Sequence, residues 1–233
     1  MWSRKPRRER RTPDEIRPVL PLTRASLASC RCYTPQCKKP DCIFCQSDKT
    51  NLCPAIRATQ GQGVMPDGTS RFADAADGTP YHHFMGCSTF AEYTVVPEIA
   101  LAKIDAAADL TTVCMLGCGV TTGVGAVRNT TAVEPGASVA VFGLGAIGIA
   151  VIQAAKQAGA GRIFAIDVNP AKFELAMQLG ATECIDPTEH AQPMQSVLLQ
   201  RTQWGVDYTF DCTGNTEVRL GVRARARGRA APS

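Results

Sequence analysis

The second half of the chain alternates short apolar runs with longer amphipathic segments. The apolar runs predict strands at 139–142, 162–166, 182–185 and 206–212. The segments between them have helical spacing and predict helices at about 147–158, 169–179 and 191–201. Strands that alternate with helices of this length are typical of an α/β fold with a parallel sheet and right-handed connections. We therefore expect a four-stranded parallel sheet, which is smaller than the six strands of a complete dinucleotide-binding domain.

The first of these strands runs directly into a glycine-rich turn that opens the next helix. Its sequence is G-x-G-x-x-G, and it follows the apolar run Val139–Phe142. Gly143 permits a tight turn, Gly145 lets the backbone approach a pyrophosphate, and Gly148 lets the helix pack closely on the strand. The helix N-terminus offers N–H groups to phosphates. The candidate cofactor-binding residues are Gly143, Leu144, Gly145, Ala146, Ile147 and Gly148.

The second strand ends in an acidic residue, Asp167, about 20 residues beyond the glycines, as in dinucleotide-binding proteins. A carboxylate at this place can accept hydrogen bonds from the adenosine ribose hydroxyls. It would also repel a 2′-phosphate, which favours NAD over NADP as the cofactor. The alternative is a purely structural strand–turn–helix unit in which Asp167 caps the following helix.

The segment before the parallel sheet has a different pattern. Residues 54–117 show short β-type runs and turns, including an alternating strand at Phe90–Val96, and from Thr111 the pattern becomes helical. We expect a β-rich, barrel-like domain here. His82 and His83 are adjacent, and neighbouring side chains on a strand point to opposite faces. We therefore interpret them as ordinary strand or loop histidines rather than as a pair of ligands.

Cysteines are the most informative feature of the composition. The chain has 233 residues, of which 45% are hydrophobic, 20% are charged and 11 are cysteine. Four of the cysteines lie close together, at Cys37, Cys42, Cys45 and Cys53. Four thiolates can enclose one Zn²⁺ tetrahedrally and leave no open position, so such a site would be structural. The alternative is a group of reduced surface thiols without a metal.

Charge is distributed unevenly along the sequence. The net charge is +4, but the two ends are rich in arginine and the intervening residues are net negative. Residues 1–30 and 218–233 lack periodicity, and we expect both to be disordered. An arginine-rich lead could be a nuclear or organelle address or a nucleic-acid arm, but a solvated tail is favoured. The negative middle and the lack of stacking aromatics argue against nucleic acid, and the apolar runs are too short to span a membrane.

Longer motifs resemble those of one enzyme family, the class III alcohol dehydrogenases, which are zinc-containing, medium-chain, glutathione-dependent formaldehyde dehydrogenases. The similarity extends from about Cys32 to Glu217. It is carried by the motifs YTPQC, FCQSDKTNLC, IRATQGQGVMPDGTSRF, MGCSTFAEYTVV, LGCGVTTGVGAV, VFGLGAIGIAVIQAAK and IDVNPAKFELAMQLGAT. The resemblance implies a partial GroES-like catalytic domain with a zinc lobe at 31–117 and a partial Rossmann domain at 118–217.

The resemblance also implies a function. It suggests oxidation of S-(hydroxymethyl)glutathione to S-formylglutathione by NAD and zinc, in a cytoplasmic homodimer. The implied roles are a catalytic zinc ligand at Cys118, a neighbour of the nicotinamide at Thr122, a glutathione-carboxylate site at Arg57, and adenosine-ribose contacts at Asp167 and Lys172. The four clustered cysteines match the structural zinc site of the family.

Three departures from the family pattern leave an alternative open. The lobe has the spacing C-x4-C-x2-C-x7-C rather than C-x2-C-x2-C-x7-C. Two further catalytic zinc ligands that the family carries upstream of YTPQC have no counterpart, and the family continues beyond the last strand. We therefore expect a sequence truncated at both ends, whose arginine-rich ends are out-of-frame or alternatively spliced. The alternative function is an incomplete enzyme that binds structural zinc and NAD without turnover.

Overall fold

A computed structural model describes residues 28–30, 37, 40–47, 52–65, 67–85, 88, 101–216 and 218 of the chain. The chain divides into two compact units, and the division falls between Cys114 and Met115. The strand predicted at Phe90–Val96 lies outside the described residues, as do the arginine-rich segments 1–27 and 219–233.

The first unit contains short elements joined by turns. Its strands are β1 (Ala28–Cys30), β2 (Phe72–Ala73), β3 (Pro80–Tyr81) and β4 (Leu101–Lys103), and its helices are α1 (Ile43–Gln46), α2 (Pro54–Gln62) and α3 (Leu110–Val113). Strand β1, which falls at the end of the segment expected to be disordered, pairs antiparallel with β4. Strands β2 and β3 form a second antiparallel pair, in which Phe72 faces Tyr81.

Helix α2 corrects one prediction. The sequence pattern places residues 54–62 in the β-rich segment, but they form a nine-residue helix. Pro54 occupies the first turn, where its missing N–H costs nothing, and Gly63 ends the helix in the left-handed conformation with φ of 70°. Between these two residues stand helix formers such as alanine, arginine and glutamine, so the local propensities favour a helix.

The second unit has the predicted α/β order. A 3₁₀ turn at Cys114–Gly117 leads to α4 (Gly119–Gly125) and a π-helical segment (Ala126–Thr130). The remaining elements are β5 (Ser138–Phe142), α5 (Ala146–Gln157), β6 (Arg162–Ile166), a 3₁₀ turn (Pro170–Lys172), α6 (Phe173–Leu179), β7 (Glu183–Ile185), a 3₁₀ turn (Pro187–Glu189), α7 (Met194–Thr202) and β8 (Tyr208–Asp211). All four predicted strands and the three helices between them are present.

The four strands form one parallel sheet in the order β7-β6-β5-β8. After β5 the chain builds outward through β6 and β7 and then returns to the other side of β5 for β8. The order therefore reverses between β5 and β8, and at such a switch point the carboxyl ends of the strands leave a crevice where ligands bind in open α/β sheets.

Apolar side chains cover both faces of this sheet. One buried cluster joins the sheet to α5 and α6 and includes Val141, Ile152 and Ala176. A second cluster joins the opposite face to α7 through Phe164, Ile185 and Leu198. The central strands β5 and β6 are buried on both sides, which explains why their sequences are continuous apolar runs rather than alternating ones.

Helices in the described part of the chain do not reach membrane-spanning length individually. A pair, Leu110–Gly117 with Gly119–Thr130, has sufficient length and apolar composition only when the two pieces are joined across a bend of 53°.

Candidate functional site

The glycine-rich loop lies at the switch point of the sheet. Gly143 follows β5 with φ of 88°, and its N–H donates a hydrogen bond of 2.7 Å to the carbonyl oxygen of Ile166. A Cβ at this glycine would lie 2.9 Å from the carbonyl carbon and oxygen of Cys212, just after β8. A side chain is therefore excluded both by the backbone conformation and by the adjoining strand end.

Gly148 and Gly145 meet different surroundings. A Cβ on Gly148, in the first turn of α5, would lie 3.0 Å from the carbonyl carbon of Gly143 and closer still to its oxygen. A Cβ on Gly145 would meet no atom within 4 Å. Gly145 is also the N-cap of α5, and no side chain caps this helix. The loop thus leaves an open space beside a helix N-terminus, which is the arrangement a pyrophosphate requires.

Asp167 connects this loop to the second strand. It is 8% exposed, and its Oδ2 accepts hydrogen bonds from the Leu144 N–H at 2.7 Å and from the Lys172 ammonium at 2.9 Å. Its Oδ1 accepts from the Asn169 N–H at 2.9 Å. Burial opposes ionisation of Asp167, but the hydrogen bonds from Lys172, Leu144 and Asn169 outweigh it and lower its pKa. The structure thus brings Asp167, Lys172 and the glycine loop together.

Cys118 and Thr122 lie beside the same loop. Cys118 is exposed and immediately precedes α4, and its carbonyl oxygen accepts a hydrogen bond of 2.9 Å from the Thr122 N–H. Helix α4 packs closely on α5: a Cβ on Gly119 would lie only 3.3 Å from the Cβ of Ala146. Within the described residues, Cys118 does not belong to any group of three potential metal ligands. One thiolate cannot hold a catalytic zinc by itself, because such a site needs three protein ligands.

The cysteine lobe forms the second candidate site. The ligand atoms of Cys37, Cys42, Cys45 and Cys53 all lie within 4.8 Å of one another, and the sulfurs of Cys37 and Cys45 are 3.4 Å apart. Zinc–sulfur bonds of about 2.3 Å in a tetrahedron place sulfurs roughly 3.8 Å apart, so the four residues fit a zinc ion. The fit holds although the lobe spacing departs from that of the resembled family.

The local environment of the lobe also suits a metal. Cys42 and Cys53 precede α1 and α2, and Cys45 lies within α1. Hydrogen bonds from the Cys45 backbone and the Cys37 side chain lower the pKa of Cys42. A lowered thiol pKa favours the thiolate, which is the form that binds zinc.

Arg57, the predicted glutathione-carboxylate residue, lies on α2 and is exposed. It belongs to the first unit, which also holds the lobe, whereas the glycine loop belongs to the second unit. Its helix starts immediately after the lobe residue Cys53.

The residues that follow β8 were not predicted from the sequence as part of this site. Cys212 and Thr213 form the wall that Gly143 approaches, and burial together with the charge of Asp211 raises the pKa of the Cys212 thiol to about 11. A signal for them exists, because they follow the strand that comes after the order reversal of the sheet. Recognising this signal requires the order of the strands in the sheet, which the linear sequence pattern does not specify.

Known proteins that are similar to this chain are dehydrogenases. A family model described as "Zinc-binding dehydrogenase" matches residues 146–229. An S-(hydroxymethyl)glutathione dehydrogenase of Synechocystis sp. is 64% identical over 197 residues, which cover 84% of this chain and 52% of that protein. One from Photobacterium damsela subsp. piscicida is 60% identical over the same shares. The chain thus spans about half the length of the curated relatives it matches.

Solved structures give the same result. The alcohol dehydrogenase zinc-binding domain protein of Burkholderia ambifaria has a TM-score of 0.74 at 35% identity, covering 84% of this chain and 51% of the other. The benzyl alcohol dehydrogenase of Acinetobacter calcoaceticus has a TM-score of 0.66 at 27% identity over the same shares. The predicted fold class, a partial Rossmann parallel sheet preceded by a partial GroES-like domain with a four-cysteine lobe, is confirmed. The chain is therefore related to the zinc-binding dehydrogenases, and its matched relatives include S-(hydroxymethyl)glutathione dehydrogenases.

Proposed function

We propose that this protein oxidises S-(hydroxymethyl)glutathione to S-formylglutathione, with NAD as the hydride acceptor. The observation that carries the proposal is the glycine loop, which leaves open space at Gly145 and is closed on one side by Asp167. The names of the relatives add the substrate class.

The residues around the loop would bind the cofactor in three ways. Gly145 and the uncapped N-terminus of α5 would receive the pyrophosphate, because backbone N–H groups and the helix dipole favour negative charge there. Asp167 would accept hydrogen bonds from the adenosine ribose, and Lys172 would donate to it. The lowered pKa of Asp167 keeps its carboxylate charged. This negative charge would exclude a 2′-phosphate and so select NAD.

When bound, NAD would supply the acceptor for the hydride of the hydroxymethyl carbon, and the hydroxyl proton would pass to solvent. Thr122 lies one turn into α4, the helix that packs on α5, and we assign it to the nicotinamide side of the site. Cys118 would supply one of the three protein ligands that a catalytic zinc requires.

The first unit would bind the remaining groups. We propose that Arg57 receives a glutathione carboxylate, a task for which the planar guanidinium fork is well suited. Cys37, Cys42, Cys45 and Cys53 would hold a structural zinc, supported by the proximity of their sulfurs. The domains would extend over 31–117 and 118–217. We further propose a cytoplasmic homodimer without a nucleic-acid or membrane partner.

A coupled pair of measurements tests the proposal. The purified chain is titrated with NAD by calorimetry, and it is then assayed for NADH formation with formaldehyde, in the presence and absence of glutathione. We expect NAD binding and a rate that requires glutathione. NAD binding and bound zinc without NADH formation would favour the alternative of a binding protein without turnover. Absence of NAD binding would refute the cofactor assignment itself.

A further inference from the structure

His83 is a buried histidine that connects three parts of the first unit. It follows β3 and is 3% exposed. Its Nε2 accepts a hydrogen bond of 3.0 Å from the Arg71 backbone N–H, and its own backbone N–H donates a hydrogen bond of 2.6 Å to the carbonyl oxygen of Gly63. Its ring packs against Phe72, with ring centroids 4.9 Å apart. One residue thus joins the end of α2, the loop at 67–71 and the β2–β3 pair.

These contacts specify the protonation state of the imidazole. A ring nitrogen that accepts a hydrogen bond carries no proton, so the neutral ring has its proton on Nδ1. Nδ1 is buried and has no hydrogen-bond partner among the described residues. A proton added to Nε2 would point at the Arg71 N–H, which is also a donor, and would break that contact. The arrangement therefore accommodates the neutral ring and rejects the cation.

The charges around His83 act in the same direction overall. Burial lowers its pKa most, the positive charge of Arg71 lowers it further, and Asp67 opposes both. Asp67 is itself engaged by Arg71, whose Nη2 lies 2.5 Å from its Oδ2. Of the other charged groups nearby in the chain, Asp74 accepts a hydrogen bond of 2.5 Å from the Tyr81 hydroxyl, and Arg57 is exposed on α2.

Helix α2 is held at both ends, and His83 provides the second anchor. The helix begins after Cys53, which is fully buried in the cysteine lobe. It ends at Gly63, whose carbonyl oxygen accepts from the His83 backbone N–H. A Cβ at Gly63 would lie 2.8 Å from the Cβ of His82, so the chain at 82–83 packs directly against this helix end. A second bond joins the same segments, from the Gln60 amide to the Met85 carbonyl oxygen at 2.9 Å.

We propose that His83 is a positioning residue, whose neutral imidazole ties the 82–83 segment to the 67–71 loop while its backbone N–H ties the same segment to the C-terminal end of α2. Protonation of the ring breaks its bond to Arg71, loosens the 82–83 segment and with it the helix end, and so disturbs the placement of Arg57. The consequence for ligand binding rests on the proposed role of Arg57 as the carboxylate site. The hydrogen-bonding state of His83 itself does not depend on that role.

The direction of the pH effect follows from linkage. The folded state holds His83 neutral, whereas the unfolded chain takes up a proton near pH 6.5. Below about pH 6.5 the unfolded state binds more protons than the folded state. The stability that neutral His83 contributes is therefore complete above about pH 6.5, and it is lost as the pH falls toward the lowered pKa of His83 in the folded state. Acid therefore loosens α2, and the proposal predicts weaker binding of an anionic ligand in acid.

The first test is nitrogen-detected NMR of the full chain, which contains only three histidines. We expect His83 to show the Nδ1–H tautomer and to titrate below the ordinary histidine value of about 6.5. An Nε2–H tautomer, or a titration midpoint of His83 at or above that value, would refute the proposed positioning role of His83. This result requires neither substrate nor variant.

The second test measures binding of S-methylglutathione, a stable analogue, by calorimetry between about pH 5.5 and 7.5, the range in which histidine titrates. His83→Gln places a non-titrating amide where Nε2 accepts, so we expect affinity that no longer depends on pH. His83→Leu removes the acceptor and should weaken binding roughly tenfold at every pH. His82→Gln is the matched control and should behave as the wild type. A wild type that does not bind S-methylglutathione at any pH would refute the role of Arg57. The NMR result would then test the role of His83 independently.

Discussion

Two glycines of the same loop provide the sharpest test of the cofactor site, because alanine should affect them in opposite ways. Gly145 has φ of −79° and ψ of −172°, an extended conformation that alanine adopts without strain. A methyl group at this position would meet no atom within 4 Å. Gly145→Ala should therefore leave the fold intact, and should even stabilise it by about 0.4–1 kcal/mol through the reduced freedom of the unfolded chain.

The same methyl group would occupy the space assigned to the pyrophosphate. We expect the NAD dissociation constant of Gly145→Ala to rise at least roughly tenfold, which corresponds to about 1.4 kcal/mol of binding free energy. Gly148→Ala serves as the contrast. Its Cβ would approach the Gly143 carbonyl group to 3.0 Å or less, and a backbone carbonyl cannot rotate away as a flexible side chain can. Destabilisation of about 3 kcal/mol is expected, the upper part of the usual range for overpacking.

Urea denaturation and calorimetric NAD titration of both variants separate the two effects. We expect a stable Gly145→Ala that binds NAD poorly and an unstable Gly148→Ala. A stable Gly145→Ala with wild-type affinity would show that the cofactor does not approach the backbone at this glycine. An unaffected Gly148→Ala would show that the loop does not have the described geometry.

Three further predictions concern single residues. Asp167→Asn should weaken NAD binding in calorimetry, and at neutral pH it should be less stable than the wild type. The difference in stability should shrink as the pH falls below about 4, because a carboxyl group with a lowered pKa contributes stability only above that range. Cys53→Ser should reduce the zinc content from about one ion per lobe to near zero by elemental mass spectrometry, whereas Cys114→Ser, at an exposed cysteine outside the lobe, should retain it. Arg57→Ala should raise the KM for S-(hydroxymethyl)glutathione roughly tenfold with little change in kcat, and equal losses in both constants would contradict a role in ground-state binding.

The parallel sheet could be predicted from the sequence because its signals are local. Continuous apolar runs such as Ile163–Ile166 mark strands buried on both faces. Gly143, after the first strand, and Asp167, after the second, mark two strands that are neighbours in a dinucleotide-binding sheet. The hydrogen bonds that join Asp167 to Leu144 and Lys172 agree with that pattern. The predicted strand bounds differ from the observed ones by one or two residues at β7 and β8.

The first unit could be predicted less well, since its informative contacts are between segments. Its helix α2 is short and has only one buried apolar residue, Ile56, so no apolar period distinguishes it from a turn-rich segment. The burial of His83 depends on Gly63 and Arg71, which stand on different segments of the chain. The adjacency of His82 and His83 predicts side chains on opposite faces, but it does not predict what the buried one contacts.

The glycine loop is held by hydrogen bonds to the end of β6. Gly143 donates to Ile166, and Leu144 donates to the Asp167 carboxylate. A ligand loses apparent affinity when only a fraction of the protein has the competent shape, and the loss is set by that fraction. Because these hydrogen bonds tie the loop in place, we expect that fraction to be close to one. Nearly all of the intrinsic contact free energy is then expressed as affinity, and binding gains little from closure of the loop.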